Sequence, residues 1–194
     1  MQVVLKPVLT ADAYLDDEIE ADVRHEFIDG DLYAMAGAGE AHNLITLNVA
    51  AQLRTLVRGG PCRVFVSDMK LRVDAWNAFY YPDVMVVCNP ADRQTYYKES
   101  PCLVIEVLSK STHRIDRREK LQAYRTLPSL SEYVLIASGR AQIEVHRRAQ
   151  DGIWQTSTLG TGDRLILECV QASLSMDDIY EDVVFEPPAP FDGY

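Results

Sequence analysis

The sequence predicts an α/β (α+β) fold: a mixed central sheet flanked by helices, with an antiparallel strand extension at the C-terminal side. Three observations carry this. Residues 81–88 and 102–108 are near-continuous apolar runs, each broken by a single carboxylate, and such runs suit strands buried on both faces. A charged helix-like segment and a further buried-type strand, residues 132–137, follow in strand–helix–strand order, which implies a right-handed parallel crossover. Beyond residue 140, short alternating segments separated by Asp151-Gly152 and Gly160-Thr161-Gly162 read as antiparallel strands.

In chain order, Thr10 is placed to cap a short acidic helix running to about Glu18, with Leu15 and Ile19 facing inward. Asp29-Gly30 between residues 25–28 and 31–35 is a hairpin signal, which puts Glu26 in the first strand; a solvent-facing position there is its ordinary reading. Residues 40–57 repeat apolar side chains at spacings of three and four, the stripe of a helix packed on a sheet. Gly59-Gly60-Pro61 ends it. His42 falls in its first turn, where packing or capping is the default. Strands are expected at residues 62–66 and 69–73, a turn at 75–78, strands at 81–88 and 102–108, and a helix from Thr112 to Leu127 stopped by Pro128. After the strand at 132–137 come strands at 141–147, 154–159 and 164–167, and a short helix from Ser175 to Val183 with Ser175 as cap. Residues 1–186 read as a single domain and 187–194 as an extended proline-containing tail.

A chain of 194 residues is long enough to bury a substantial core. No apolar run approaches the ~20 residues of a bilayer span, and the N-terminus lacks the pattern of a signal peptide, so a cytoplasmic protein that does not engage membranes is expected. The four cysteines are widely spaced, without a Cys-x-x-Cys pair; free, reduced thiols and no disulfide are expected. The net charge of −10 argues against a protein coated in nucleic acid. The charge is uneven, however. Residues 10–31 hold nine acids against Arg24, and residues 163–194 hold eight against Arg164, whereas residues 106–125 hold six Lys or Arg against three acids.

Chemistry concentrates between Tyr81 and Tyr124. A carboxylate in an apolar strand is costly to bury unless it is paired or metal-bound, and Asp83 and Glu106 pose this problem in consecutive buried-type strands. If the strands are neighbours, two anions at short range call for a divalent cation or a lysine between them. Hard oxygen donors suit Mg2+ or Mn2+, and Lys120 is at hand to orient a water and stabilise developing charge. The competing reading is structural: Asp83 caps a strand end after Pro82, and Glu106 forms a salt bridge with an arginine of the following helix.

Taken together, His25-Glu26-Phe27-Ile28-Asp29-Gly30, His42 opening a helix, Tyr81-Pro82-Asp83-Val84, the run from Leu103 to Thr112, and Asp116-Arg117-Arg118-Glu119-Lys120-Leu121 with Tyr124 resemble the Uma-type family of bacterial restriction endonucleases, within the PD-(D/E)xK nuclease superfamily. The resemblance spans roughly residues 10–140, in the family's order. It implies a restriction-endonuclease-like fold and a Mg2+- or Mn2+-dependent hydrolysis of nucleic-acid phosphodiester bonds, with DNA as the substrate. It makes Asp83 and Glu106 metal ligands, with the backbone carbonyl of Val107 as a further one, and Glu26 an auxiliary acid. Leu108 stands where the superfamily pattern expects a lysine. The family's lysine comes from the next helix, which matches Lys120, with Lys110 as the competitor. His113, Arg114, Arg117 and Arg118 are placed either to contact phosphates or to form a solvated basic face, and Ser109, Ser111 and Thr112 read as turn and cap residues. Nucleases of this type commonly dimerise, and the apolar C-terminal strands offer an edge for homodimer pairing. The overall acidity supports the alternative function, a catalytically inactive nuclease-fold binding or scaffold protein.

Overall fold

Asp29 and Gly30 hold φ angles of 47° and 99°, the left-handed pair that a two-residue turn needs to match the twist of its strands. This turn joins β1 (His25–Ile28) to β2 (Asp31–Ala34) in antiparallel register. The computed structural model describes residues 9–108 and 119–185. The tail beyond residue 185, Lys110 and the basic segment to Arg118 lie outside the described residues.

The remaining elements, in order, are α1 (Ala11–Ile19) ahead of the hairpin, α2 (Glu40–Leu56), β3 (Arg63–Val66), β4 (Lys70–Val73), β5 (Ala78–Tyr80), β6 (Val84–Val87), β7 (Tyr97–Lys98), β8 (Leu103–Leu108), α3 (Leu121–Arg125), β9 (Glu132–Ala137), β10 (Ile143–Arg148), β11 (Trp154–Leu159), β12 (Arg164–Leu167), β13 (Ala172–Ser175) and α4 (Met176–Ile179). The strands form a six-stranded sheet ordered β11-β10-β9-β8-β6-β3, a five-stranded sheet ordered β2-β1-β5-β4-β7 and the hairpin β12-β13. The predicted crossover is present, because β8 and β9 pair in parallel, Leu103 opposite Glu132 through Leu108 opposite Ala137.

The six-stranded sheet is covered on both faces, which accounts for its unbroken apolar strands. On one face Val84, Val86, Leu103, Ile105, Val107, Val134 and Ile136 pack with Ile45, Val49 and Leu53 of α2 and with the β12–β13 hairpin. On the other, Met85, Val104, Leu108, Tyr133 and Leu135 meet Ala123 and Tyr124 of α3 and Leu71, Val73, Ala78 and Tyr80 of the five-stranded sheet. Each such Val, Leu, Ile or Met side chain contributes about 1.5–3 kcal/mol by leaving water. Among the described residues no helix is long and apolar enough to cross a membrane.

Several expectations are corrected. The strand expected at 81–88 is confined to β6. β5 belongs to one sheet and β6 to the other, with Tyr81, Pro82 and Asp83 crossing between them. Proline supplies no N–H to a ladder and so ends the pairing here. On α1, Ile19 is 49% exposed, and Tyr14 is the buried residue instead. The Tyr14 ring packs 5.1 Å from Phe27 and 5.4 Å from Phe79, and its hydroxyl donates to the carbonyl of His25 at 2.6 Å, so the buried polar end is satisfied. The apolar stripe of α2 is narrower than expected, with Leu47 and Leu56 exposed.

Cys62 and Cys88 form a disulfide, contrary to the expectation of reduced thiols throughout. The antiparallel register of β3 and β6 pairs Arg63 with Val87, so the next positions outward, Cys62 and Cys88, face each other although 26 residues apart.

Candidate active site

Glu106 sits in the middle of β8 on the face that α3 covers, and is 3% exposed. Its Oε1 accepts a hydrogen bond from the Tyr124 hydroxyl at 3.0 Å and lies 3.2 Å from Lys120 Nζ. Lys120, 6% exposed, lies in a π-helical turn that leads into α3; such turns recur at functional sites. The same ammonium is 2.9 Å from Glu26 Oε1. Glu26 belongs to the other sheet, and its Oε1 also accepts the backbone N–H of Tyr81 at 3.2 Å. The expected solvent-facing position for Glu26 is thus replaced by a nearly enclosed ion pair.

The electrostatics follow from burial. Two carboxylates in a low-dielectric setting repel each other, and the ammonium between them offsets that repulsion. The ammonium lies 5.7 Å from the centroid of the Tyr80 ring, a cation–π distance. Burial first, and the neighbouring Glu106 charge second, hold the Tyr124 hydroxyl well above its ordinary pKa. Tyr124 therefore remains a hydrogen-bond donor to Glu106.

Asp83 occupies the junction where the chain passes from one sheet to the other. β6 and β8 pair Val84 with Ile105, so the next pair outward sets Asp83 across from Glu106. Asp83 Oδ2 accepts the backbone N–H of Val107 at 2.7 Å and lies 3.2 Å from His42 Nε2. His42 is in the first turn of α2, and in place of packing or capping it makes this polar contact. It is the residue that sequence reasoning missed; its one signal was its place among the ordered motifs.

The structure therefore brings Glu26, Lys120, Glu106 and Tyr124 into one hydrogen-bonded group. Asp83, His42 and the Val107 amide form a second, and the two are joined through the consecutive residues Glu106 and Val107. Among the described residues, the ion pairs of Lys120 run to Glu26 and Glu106, so a lysine of the following helical segment pairs with Glu106. The competitor Lys110 falls outside those residues, as do His113, Arg114, Arg117 and Arg118.

A divalent cation fits this donor set by its chemistry. Among the described residues no three His, Cys, Asp or Glu side chains converge in a metal-holding group. Mg2+, however, is commonly held by one or two carboxylates and keeps several waters, and Asp83 and Glu106 provide two hard carboxylates across one strand pair. Asp83 Oδ1 accepts no hydrogen bond among the described residues.

Comparison with known proteins places the chain in a family. The Uma2 family model, described as "Putative restriction endonuclease", matches residues 11–177, a span containing Glu26, His42, Asp83, Glu106 and Lys120. Two proteins of Synechocystis sp. (strain PCC 6803), described as the uncharacterized proteins slr1290 and sll1609, are similar. The first is 34% identical over 92% of this chain and 95% of its own length. The second is 35% identical over 82% of this chain and 92% of its own. A crystal structure from Anabaena variabilis, described as a putative nuclease belonging to DUF820, superposes with a TM-score of 0.71 at 17% identity, covering 89% of this chain and 97% of that one. That likeness establishes the shared fold, and the match across residues 11–177 establishes the kinship: the chain belongs to the Uma2 family.

Proposed function

We propose that this protein is a metal-dependent endonuclease that hydrolyses phosphodiester bonds of DNA, with Asp83, Glu106, Lys120 and Glu26 as its working residues. The observation that carries the reading is Lys120, buried and held between Glu26 and Glu106 beside the strand position of Asp83. A lone buried ion pair is weak evidence for stability, and two acids from separate sheets converging on one lysine make better sense as a site for handling charge.

In this reading Asp83 and Glu106, with the carbonyl of Val107, hold Mg2+ or Mn2+. The bound ion supplies positive charge for a phosphoryl oxygen and a more acidic water. The protein's own groups do the positioning. Val107 N–H and His42 fix one oxygen of Asp83. Tyr124 fixes Oε1 of Glu106. Glu26 draws the Lys120 ammonium towards the strand carboxylates, where it orients a water and offsets negative charge developing on phosphate. The edge strand β11 offers an open ladder for homodimer pairing; light scattering that finds only monomer removes that part.

Incubating the purified protein with duplex DNA and Mg2+ or Mn2+, with and without a chelator, tests the proposal. Chelator-sensitive cutting is expected. Stoichiometric Mn2+ binding with no cutting of duplex, single-stranded or branched DNA would instead support the inactive scaffold, a reading that the net charge of −10 favours.

A further inference from the structure

All four cysteines of the chain, spread from residue 62 to residue 169, meet in one cluster. Cys62 and Cys88 are bonded to each other. The Sγ of Cys88 lies 3.6 Å from that of Cys102, and Cys102 and Cys169 are close enough to shift each other's titration. Cys102 and Cys169 are free thiols, each half-buried. The cluster is built by the fold. Cys62 precedes β3, Cys88 follows β6 and Cys102 precedes β8, three neighbouring strands of one sheet. Cys169 comes from the turn after β12, and its amide is anchored by Glu132 Oε2 at 3.0 Å.

We propose that these residues form a thiol–disulfide exchange site in which the Cys102 thiolate takes Cys88 from Cys62. The Cys102–Cys88 bond forms as the Cys62–Cys88 bond breaks, and Cys62 departs as a thiolate that takes up the proton Cys102 released. One disulfide and two thiols precede and follow the step, so no external oxidant or reductant is consumed. Exchange needs an attacking thiolate beside a disulfide sulfur, and the 3.6 Å contact supplies the proximity. The neighbouring Cys169 side chain lowers the Cys102 pKa, and Cys102 in turn raises that of Cys169. Cys102 is thus the better nucleophile and Cys169 its proton-bearing neighbour.

The step moves a covalent tie. In one form the tie joins β3, the sheet edge, to β6. In the other it joins β6 to β8, the two strands that bring Asp83 and Glu106 opposite each other. The cysteines sit at the far end of β6 from Asp83, five residues or about 16 Å away, so the exchange site is distinct from the acidic one and does not rest on the nuclease reading.

Peptide mapping tests it. The full chain is equilibrated in buffers of graded reduced-to-oxidised glutathione ratio, quenched with acid and an alkylating reagent, digested without reduction and read by mass spectrometry. The expected result is two populations in the wild type, one with Cys62 linked to Cys88 and one with Cys88 linked to Cys102. In Cys62→Ser the Cys88–Cys102 link is expected to become the principal disulfide. Absence of a Cys88–Cys102 peptide from the wild type at every ratio overturns the proposal, however the variant behaves. Glutathione adducts on Cys88 and Cys102 of Cys62→Ser, with no bond between the two, would do the same.

Discussion

Lys120 Nζ stands 2.9 Å from Glu26 Oε1, and this contact ties a helix-borne cation to the hairpin strand of the smaller sheet. The same nitrogen is 3.2 Å from Glu106 on the larger sheet. Among the described residues, this one side chain balances a carboxylate on each sheet. Lys120→Met should cost about 3–5 kcal/mol at neutral pH, the range for breaking a buried pair. Chemical denaturation of wild type and variant checks this, and an unchanged denaturant midpoint would contradict it.

His42 bears on activity more than on stability. Among the described residues, its Nε2 and the Val107 amide are the two partners of Asp83 Oδ2, and the amide remains when the imidazole is removed. His42→Ala is expected to lower stability by about 1 kcal/mol. If Asp83 holds the ion as proposed, cleavage, or Mn2+ affinity by calorimetry, should fall about 10–100-fold, the usual cost of losing a residue that orients a metal ligand.

Arg148 is expected to support the site from a distance. Its guanidinium donates to the carbonyls of Arg125, Leu127 and Pro128 at 2.9, 2.8 and 3.1 Å and lies 4.9 Å from the Trp154 ring centroid. It thereby satisfies carbonyls at the C-terminal end of α3, the helix that carries Tyr124. Arg148→Ala should destabilise the protein by about 2 kcal/mol, read as a lower denaturant midpoint.

Alkaline pH should unfold the protein through its tyrosines. Burial is the first cause that raises Tyr14, Tyr80, Tyr81 and Tyr124 above the ordinary tyrosine pKa, and it pushes Tyr180 up to about 12. A phenol whose pKa is raised by folding binds more protons in the native state once pH passes about 10. Stability is then lost as pH rises, by about 1.4 kcal/mol per pH unit for each such group. Tyrosinate absorbance should therefore show these groups ionising cooperatively with the loss of circular dichroism. Smooth titration of all ten tyrosines in a folded protein would contradict the burial.

Where local chemistry decided the structure, the sequence could be read directly. Asp29-Gly30 made its hairpin, Ser175 Oγ accepts the Asp178 amide at 3.0 Å as a cap, and the apolar strands from Leu103 and Glu132 pair in parallel. Features set by contacts distant in sequence were hidden. Nothing between residues 78 and 88 marks a change of sheet except Pro82. Asn77 and Gln171 adopt positive φ where glycine would have signalled a turn, which obscured β5 and β13. The disulfide depends on a register between strands that only the folded sheet defines. Nor is a carboxylate in an apolar strand specific to a site: fully buried Glu132 has the same signature as Glu106, yet it holds Arg147 Nε at 3.0 Å and the Cys169 amide. What separates the two is the company of Lys120, Glu26 and Tyr124, which the sequence supplies only as a set of ordered motifs.

The most direct test of the acidic site is the initial rate of DNA cleavage with saturating Mn2+ for wild type, Asp83→Ala, Glu106→Ala and Lys120→Met, each shown to be folded at the assay temperature. Loss of at least about 100-fold (2.7 kcal/mol of barrier) in all three variants is the expected result. Cutting by the wild type that survives unchanged in Asp83→Ala and Glu106→Ala would contradict the assignment.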